Sequence, residues 1–113
     1  MAIIAYALPI IAGQTESAGS FNAELDAAGF RSRYEELNRT AGVTTHREWV
    51  TQLPMGDFLV VAFQSETPQL VQRTFEDNEY DNWWRARVKR IHGFDPASGG
   101  GLPSLTHDWS DRG

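Results

Sequence analysis

Two extended stretches, Val43 to Leu53 and Asp57 to Ser65, are joined only by the short turn Pro54-Met55-Gly56-Asp57, and a connection of that length admits an antiparallel hairpin and little else. The hairpin fixes which side chains share a face. Placing Pro54 opposite Asp57 predicts that Thr51 opposes Val60, Trp49 opposes Ala62 and Arg47 opposes Gln64 on one side of the sheet. His46, Glu48, Val50 and Gln52 then share the other side with Leu59, Val61, Phe63 and Ser65.

The flanking segments supply what such a hairpin needs to pack against. Ile3 to Ile11 is rich in β-branched residues and ends at Gly13-Gln14, as a buried strand before a turn should. Ile4, Tyr6, Leu8 and Ile10 form its large side, and Ile3, Ala5, Ala7 and Pro9 its small one. From about Thr15 to Thr40 the apolar residues fall near helical spacing with a phase slip at Gly29-Phe30, which predicts one helix bent or broken there and stopped at Ala41-Gly42. Thr67-Pro68 opens a further helix carrying Leu70, Val71 and Phe75. The acidic run Glu76-Asp77-Asn78-Glu79 breaks it, and a second helical piece with Tyr80, Trp84, Val88 and Ile91 runs to Gly93. Asp95 to Gly101 has linker composition, and Leu102 to Trp109 offers a short last strand.

The order is β-α-β-β-α with a possible final β, which predicts a ferredoxin-like α+β domain over residues 1–95 and a flexible tail over 96–113. Helices cover one face of so small an antiparallel sheet. The other face needs a cover, and a second copy of the chain is the expected one, giving a homodimeric α+β barrel.

Length and charge narrow the functional classes. A chain of 113 residues has room for one core and one site. Its net charge of −5 removes the diffuse positive field that draws phosphates, so nucleic acid is not an expected partner. The basic cluster Arg85, Arg87, Lys89 and Arg90 reads as a solvated helix face. The absence of cysteine excludes disulfides and thiolate chemistry and fits the cytoplasm. The apolar start carries no preceding Lys or Arg and is interrupted by Pro9, so a first strand is expected rather than a leader or a membrane segment. The three histidines have no metal-ligand spacing, and no cofactor motif occurs.

The residues able to carry chemistry are few. His46 and Glu48 alternate on one strand and point to the same face, roughly 7 Å apart along it, with room for a water or substrate group between. A histidine beside a carboxylate can act as a general base; equally, both can sit at the wet end of a half-buried strand. Trp49, on the opposite face, is suited to core or interface packing or to a ligand slot. Trp83 and Trp84 lie roughly 100° apart on a helix, so one ring is in surplus. Trp84 belongs to the apolar stripe, which leaves Trp83 for a pocket or an interface. His92, beside Gly93, is placed to interact with the helix C-terminus or to line a ligand site. His107 and Asp108 lie too close to the chain end to be expected in catalysis.

The hairpin from Val43 to Val61, together with Asp81-Asn82-Trp83-Trp84-Arg85, Ile91-His92-Gly93-Phe94-Asp95 and a late Asp108-Trp109, resembles a family of small uncharacterised bacterial proteins of the dimeric α+β barrel class. The resemblance covers most of residues 3–95. The wider class includes antibiotic-biosynthesis-type monooxygenases, haem-degrading enzymes and muconolactone-isomerase-like proteins, with sites in a cleft between helices and sheet. No haem or monooxygenase triad matches here, so no catalytic residue is carried over. Three readings of function follow. One is a small-molecule-binding protein or cofactor-light enzyme for an apolar or aromatic ligand, using Trp83, Trp84, Trp49 and His92 with His46 and Glu48. Another is a non-catalytic homodimeric interaction module, and the third a haem-handling monooxygenase.

Overall fold

A computed structural model of the chain describes residues 2–67, 75–98 and 105–111. Strand β1 (Ala2–Pro9) is followed by three short helices, α1 (Thr15–Ala18), α2 (Phe21–Ala27) and α3 (Arg31–Thr40). Then come β2 (Val43–Leu53), β3 (Gly56–Ser65) and helix α4 (Glu79–His92). The sheet is antiparallel with order β1-β3-β2, so the chain is an α+β domain whose central strand is the second arm of the hairpin. Where α3 is expected as part of one long helix, the segment breaks twice. Gly29 takes φ +77 at the anticipated slip, and a further break falls at Gly19-Ser20.

The hairpin turns at Pro54-Met55, and Leu53 pairs with Gly56. Proline presets the first turn position, while Gly56 takes φ +141, a conformation that glycine adopts most readily. Trp49 therefore opposes Val60 and Arg47 opposes Ala62, a slip of two residues from the expected register. A slip of two preserves both faces. Ile4, Tyr6 and Leu8 of β1 lie beside Phe63, Val61 and Leu59 of β3, which lie beside His46, Glu48 and Val50 of β2. A bulge at Thr44 adds one residue to β2 and turns Val43 onto that same face, next to Ser65.

The helices cover this face. Leu25 and Ile91 are fully buried, and Phe21, Leu25 and Tyr80 form a cluster against which Phe30, Tyr34, Leu37, Trp83 and Trp84 pack. Helix α4 is framed by chemistry at both ends. The Asn78 side chain accepts from the Asp81 amide at 2.8 Å, and Gly93 closes the helix in the left-handed conformation. The Ile11 amide bonds the Ile91 carbonyl at 2.8 Å, tying the helix end to the end of β1. The three arginines of α4, expected as part of a solvated face, are engaged within the chain: Arg87 donates to Glu24 and to the Ser17 carbonyl, Arg90 to Glu24, and Arg85 to Asp95.

At the other end of the sheet, Gly42 takes φ +68 and a side chain there would meet the Thr67 hydroxyl at 2.5 Å. That close approach allows Ser65 and Thr67 both to donate to the Ala41 carbonyl at 2.9 Å, so the stop of α3 is pinned to the end of β3.

Among the described residues, no helix covers the opposite face of the sheet. Ile3 is 70% and Trp49 51% exposed there, with Ala5 and Ala7 exposed beside Ile3 on β1. The helix expected from Thr67-Pro68 falls on residues 68–74, outside the described residues. Of the last expected strand, 102–104 also lie outside them, and 105–109 join no strand. Asp95 to Ser98, expected as the start of a linker, instead forms a 3-10 turn, Pro96–Ser98, held by Asp95 to Arg85 at 2.7 Å. No described helix is long and apolar enough to cross a membrane.

Candidate functional site

His46 and Glu48 share the covered face, as alternation requires, but no gap separates them. His46 Nε2 lies 2.9 Å from Glu48 Oε2, in direct hydrogen bond, with side chains only 6% and 18% exposed. Neither residue is at a wet strand end. The other ring nitrogen, Nδ1, meets the Tyr34 hydroxyl delivered by α3. A carboxylate only accepts, so in the neutral imidazole Nε2 carries the proton, Nδ1 is the acceptor, and Tyr34 donates to it. Asn38, one helical turn along α3, hydrogen-bonds the same hydroxyl in the sense that favours its phenolate.

Packing holds the imidazole rigidly in this chain. Its ring stacks on Phe63 at 4.4 Å and 15°, and Phe21 meets it edge-on at 5.8 Å. Phe21 in turn lies edge-on to Trp84 at 5.4 Å and under the Arg87 guanidinium at 5.2 Å. The two bonded nitrogens and the stacked face leave the ring little freedom to rotate.

On one side of Tyr34 and His46 lies a cavity of about 240 Å³. Its wall is largely aromatic, with Tyr6, Phe63, Phe75, Tyr80 and Trp84 beside those two residues, and Asn38, Val43 and Pro96 are among those that complete it. The bulge at Thr44 is what brings Val43 into this wall, and the Asp95 turn is what brings Pro96. No Lys, Arg, Asp or Glu is among the described lining residues. On the other side lies a second hollow of about 290 Å³, bordered by Phe21, Asn22, Glu48 and Leu59, and again by Tyr34 and His46. The Tyr34-His46 pair is the partition between the two spaces.

The electrostatics follow mainly from burial. Burial first, and the Glu48 carboxylate second, push the Tyr6 phenol up to about 12. Tyr34 is raised as well, chiefly by burial. Both hydroxyls are therefore donors at neutral pH, and the cavity presents phenolic and imidazole groups without a cation.

The other expected residues are distributed differently. Trp84 lines the cavity, whereas Trp83 packs on Phe30 at 5.5 Å and Tyr80 at 6.1 Å, the reverse of the roles expected from the apolar stripe. Trp49 is half exposed on the opposite sheet face and also borders the second hollow, not the aromatic cavity. His92 is buried, and its Nδ1 donates to the Pro9 carbonyl at 2.7 Å, so its ring fastens α4 to β1 and lines neither hollow. Burial lowers its pKa below the ordinary histidine value, against the bond to the Pro9 carbonyl, which acts in the opposite sense. His107 and Asp108 are exposed. No group of three potential metal ligands occurs among the described residues.

No family model, curated protein or solved structure matches the chain. The functional reading therefore rests on the cavity and the polar side chains in its wall. Tyr34 and Asn38 are the members that sequence reasoning missed. The one local signal for them was their i, i+4 spacing on α3, which places both polar groups on one helix face among apolar neighbours.

Proposed function

We propose that the chain binds a small, uncharged aromatic molecule in the cavity lined by Tyr34, His46 and Trp84, as a ligand-binding protein or a cofactor-free enzyme of acid–base type. The observation that carries this reading is an aromatic-walled space with hydrogen-bonding groups at one edge and no charged group among its described lining residues. The volume favours a single ring: an apolar cavity of about 150 Å³ accepts benzene, so about 240 Å³ has room for a ring with one or two substituents. A carboxylate ligand would meet no cation there and would stand near Glu48.

Calorimetric titration with p-cresol tests the reading. A dissociation constant on the order of 0.1–1 mM is expected for a ligand of this size. Benzoate should bind at least tenfold more weakly. Val43→Phe, which fills the cavity from its wall, should abolish the cresol signal. Equal binding of benzoate and cresol, or undiminished binding in Val43→Phe, would contradict it.

We further infer a ferredoxin-like arrangement in which two copies pair through their open sheet faces. The β1-β3-β2 order is compatible with that fold, and the exposed Ile3 and Trp49, on the two outer strands with Val60 and Ala62 of β3 between those strands, support pairing on this face. An exposed tryptophan on a sheet face is a natural interface anchor. Sedimentation should report a dimer, and Trp49→Lys should weaken it about 30-fold or more, as loss of a central aromatic anchor worth about 2 kcal/mol requires. The cavity lies on the other face, so the same variant should still bind p-cresol. A wild-type monomer at 100 µM would overturn the pairing.

A further inference from the structure

Hydrogen-bonded in series, Tyr34, His46 and Glu48 run from one space to the other: Tyr34 and His46 border both, and Glu48 borders the second hollow. The direction of donation gives the series a polarity. Glu48 accepts from Nε2, Nδ1 accepts from Tyr34, and the Tyr34 oxygen keeps its acceptor capacity for Asn38 and for whatever occupies the cavity. A ligand satisfies this edge by giving a hydrogen bond to the Tyr34 oxygen from an O–H or N–H of its own, and of these a phenol or enol O–H is the acidic one that can also give up its proton.

Resting on the ligand-site reading above, we propose that Tyr34, His46 and Glu48 form a proton relay that takes the hydroxyl proton of a neutral phenol or enol bound in the aromatic cavity and passes it toward the second hollow. The ligand O–H bond breaks with its electron pair left on the ligand oxygen, and the proton bonds to the Tyr34 oxygen. The proton already on Tyr34 moves to His46 Nδ1. His46 becomes an imidazolium beside the Glu48 carboxylate and can hand its Nε2 proton to Oε2, which borders the second hollow. Charge is conserved throughout: a neutral ligand and neutral imidazole become an anion and a cation, and the imidazolium formed beside Tyr34 offsets the Glu48 charge that raises the resting phenols and supplies the ligand anion with the cation the resting cavity lacks. The remaining titratable and charged groups around the relay are Tyr6 on β1, Arg31 and Glu35 on α3, and Tyr80, Arg87 and His92 on α4.

The relay is a claim about where a proton resides, so a phenol whose two forms absorb at different wavelengths reads it directly. With 4-nitrophenol held one pH unit below its solution pKa, about a tenth of the free probe is anionic. The bound probe is expected to show at least a threefold higher anion fraction, falling to the free value in Glu48→Gln. The isostere 4-nitrotoluene, which has no proton to give, serves as the occupancy control by calorimetry. If 4-nitrotoluene binds and bound 4-nitrophenol keeps its protonated spectrum in the wild-type protein, the relay is wrong and the ligand site stands. An anion fraction equal in wild type and Glu48→Gln would likewise remove the relay. If neither probe binds, the ligand site fails and the relay with it. The wild-type spectrum alone decides the first case, whatever the stability of the variant.

Discussion

Replacing His46 by alanine is expected to destabilise the fold by about 3 kcal/mol, because one side chain serves as wall, stacking partner and hydrogen-bond bridge at once. The imidazole stacks on Phe63 at 4.4 Å, so its removal leaves an unfilled volume between the sheet and Phe21. Losing a buried ring of this size costs on the order of 1–2 kcal/mol in contacts and cavity. Glu48 simultaneously loses its 2.9 Å donor, and Tyr34 loses its acceptor, for on the order of 1–2 kcal/mol more. The two terms do not simply add, since the new space joins the second hollow and water can reach Glu48. His46→Gln keeps a donor and an acceptor and should cost roughly half as much. Urea unfolding at pH 7 measures both, with an unchanged slope marking a pure stability effect. A cost below about 0.5 kcal/mol for the alanine variant would mean that the imidazole is not held as described.

The second large effect is alkaline. Tyr6 is held protonated up to about pH 12, two units above its ordinary value, by burial and then by Glu48. In the unfolded chain the same phenol ionises near pH 10. The resulting stabilisation is present in full below pH 10 and is lost as pH rises from about 10 to about 12. Two units correspond to about 2–3 kcal/mol, and the raised Tyr34 adds loss in the same direction. Comparing wild type with Tyr6→Phe cancels the titration of lysines and other tyrosines. The wild-type advantage, or deficit, relative to Tyr6→Phe should shift by about 2 kcal/mol against the wild type between pH 9.5 and pH 11.5. A difference that stays constant over that range would contradict a buried, protonated Tyr6.

What was legible in the sequence was what depends on local period. Alternation put His46 and Glu48 on the face of Leu59, Val61 and Phe63, and this survived a two-residue error in register because the period of a strand is two. The error came from reading Met55-Gly56 as the turn tip. The chain instead uses Pro54-Met55 and spends Gly56 on an unusual φ at the start of β3. Gly29 announced its break; Gly19, with φ −80, did not.

The site was less legible because its geometry is made by tertiary contacts. Tyr34 meets His46 only where α3 crosses β2, and a bulge at Thr44 must first rotate Val43 into the wall. The roles of Trp83 and Trp84 differ by one step of about 100° around α4, which the stripe of Tyr80, Val88 and Ile91 does not resolve. His92 shows the same limit. Its position beside Gly93 suggested the helix C-terminus, but its bond to Pro9 spans the sheet and could only be seen once α4 was docked on β1.

The central claim is that the space beside Tyr34, His46 and Trp84 holds a small neutral aromatic molecule, and a crystal structure of the protein grown with p-cresol tests it most directly. The expected result is a single ring against Trp84 with its hydroxyl within hydrogen-bonding distance of the Tyr34 oxygen, and His46 still bridging Tyr34 to Glu48. Density for cresol only outside this cavity, or a cavity filled by its own side chains, would contradict it.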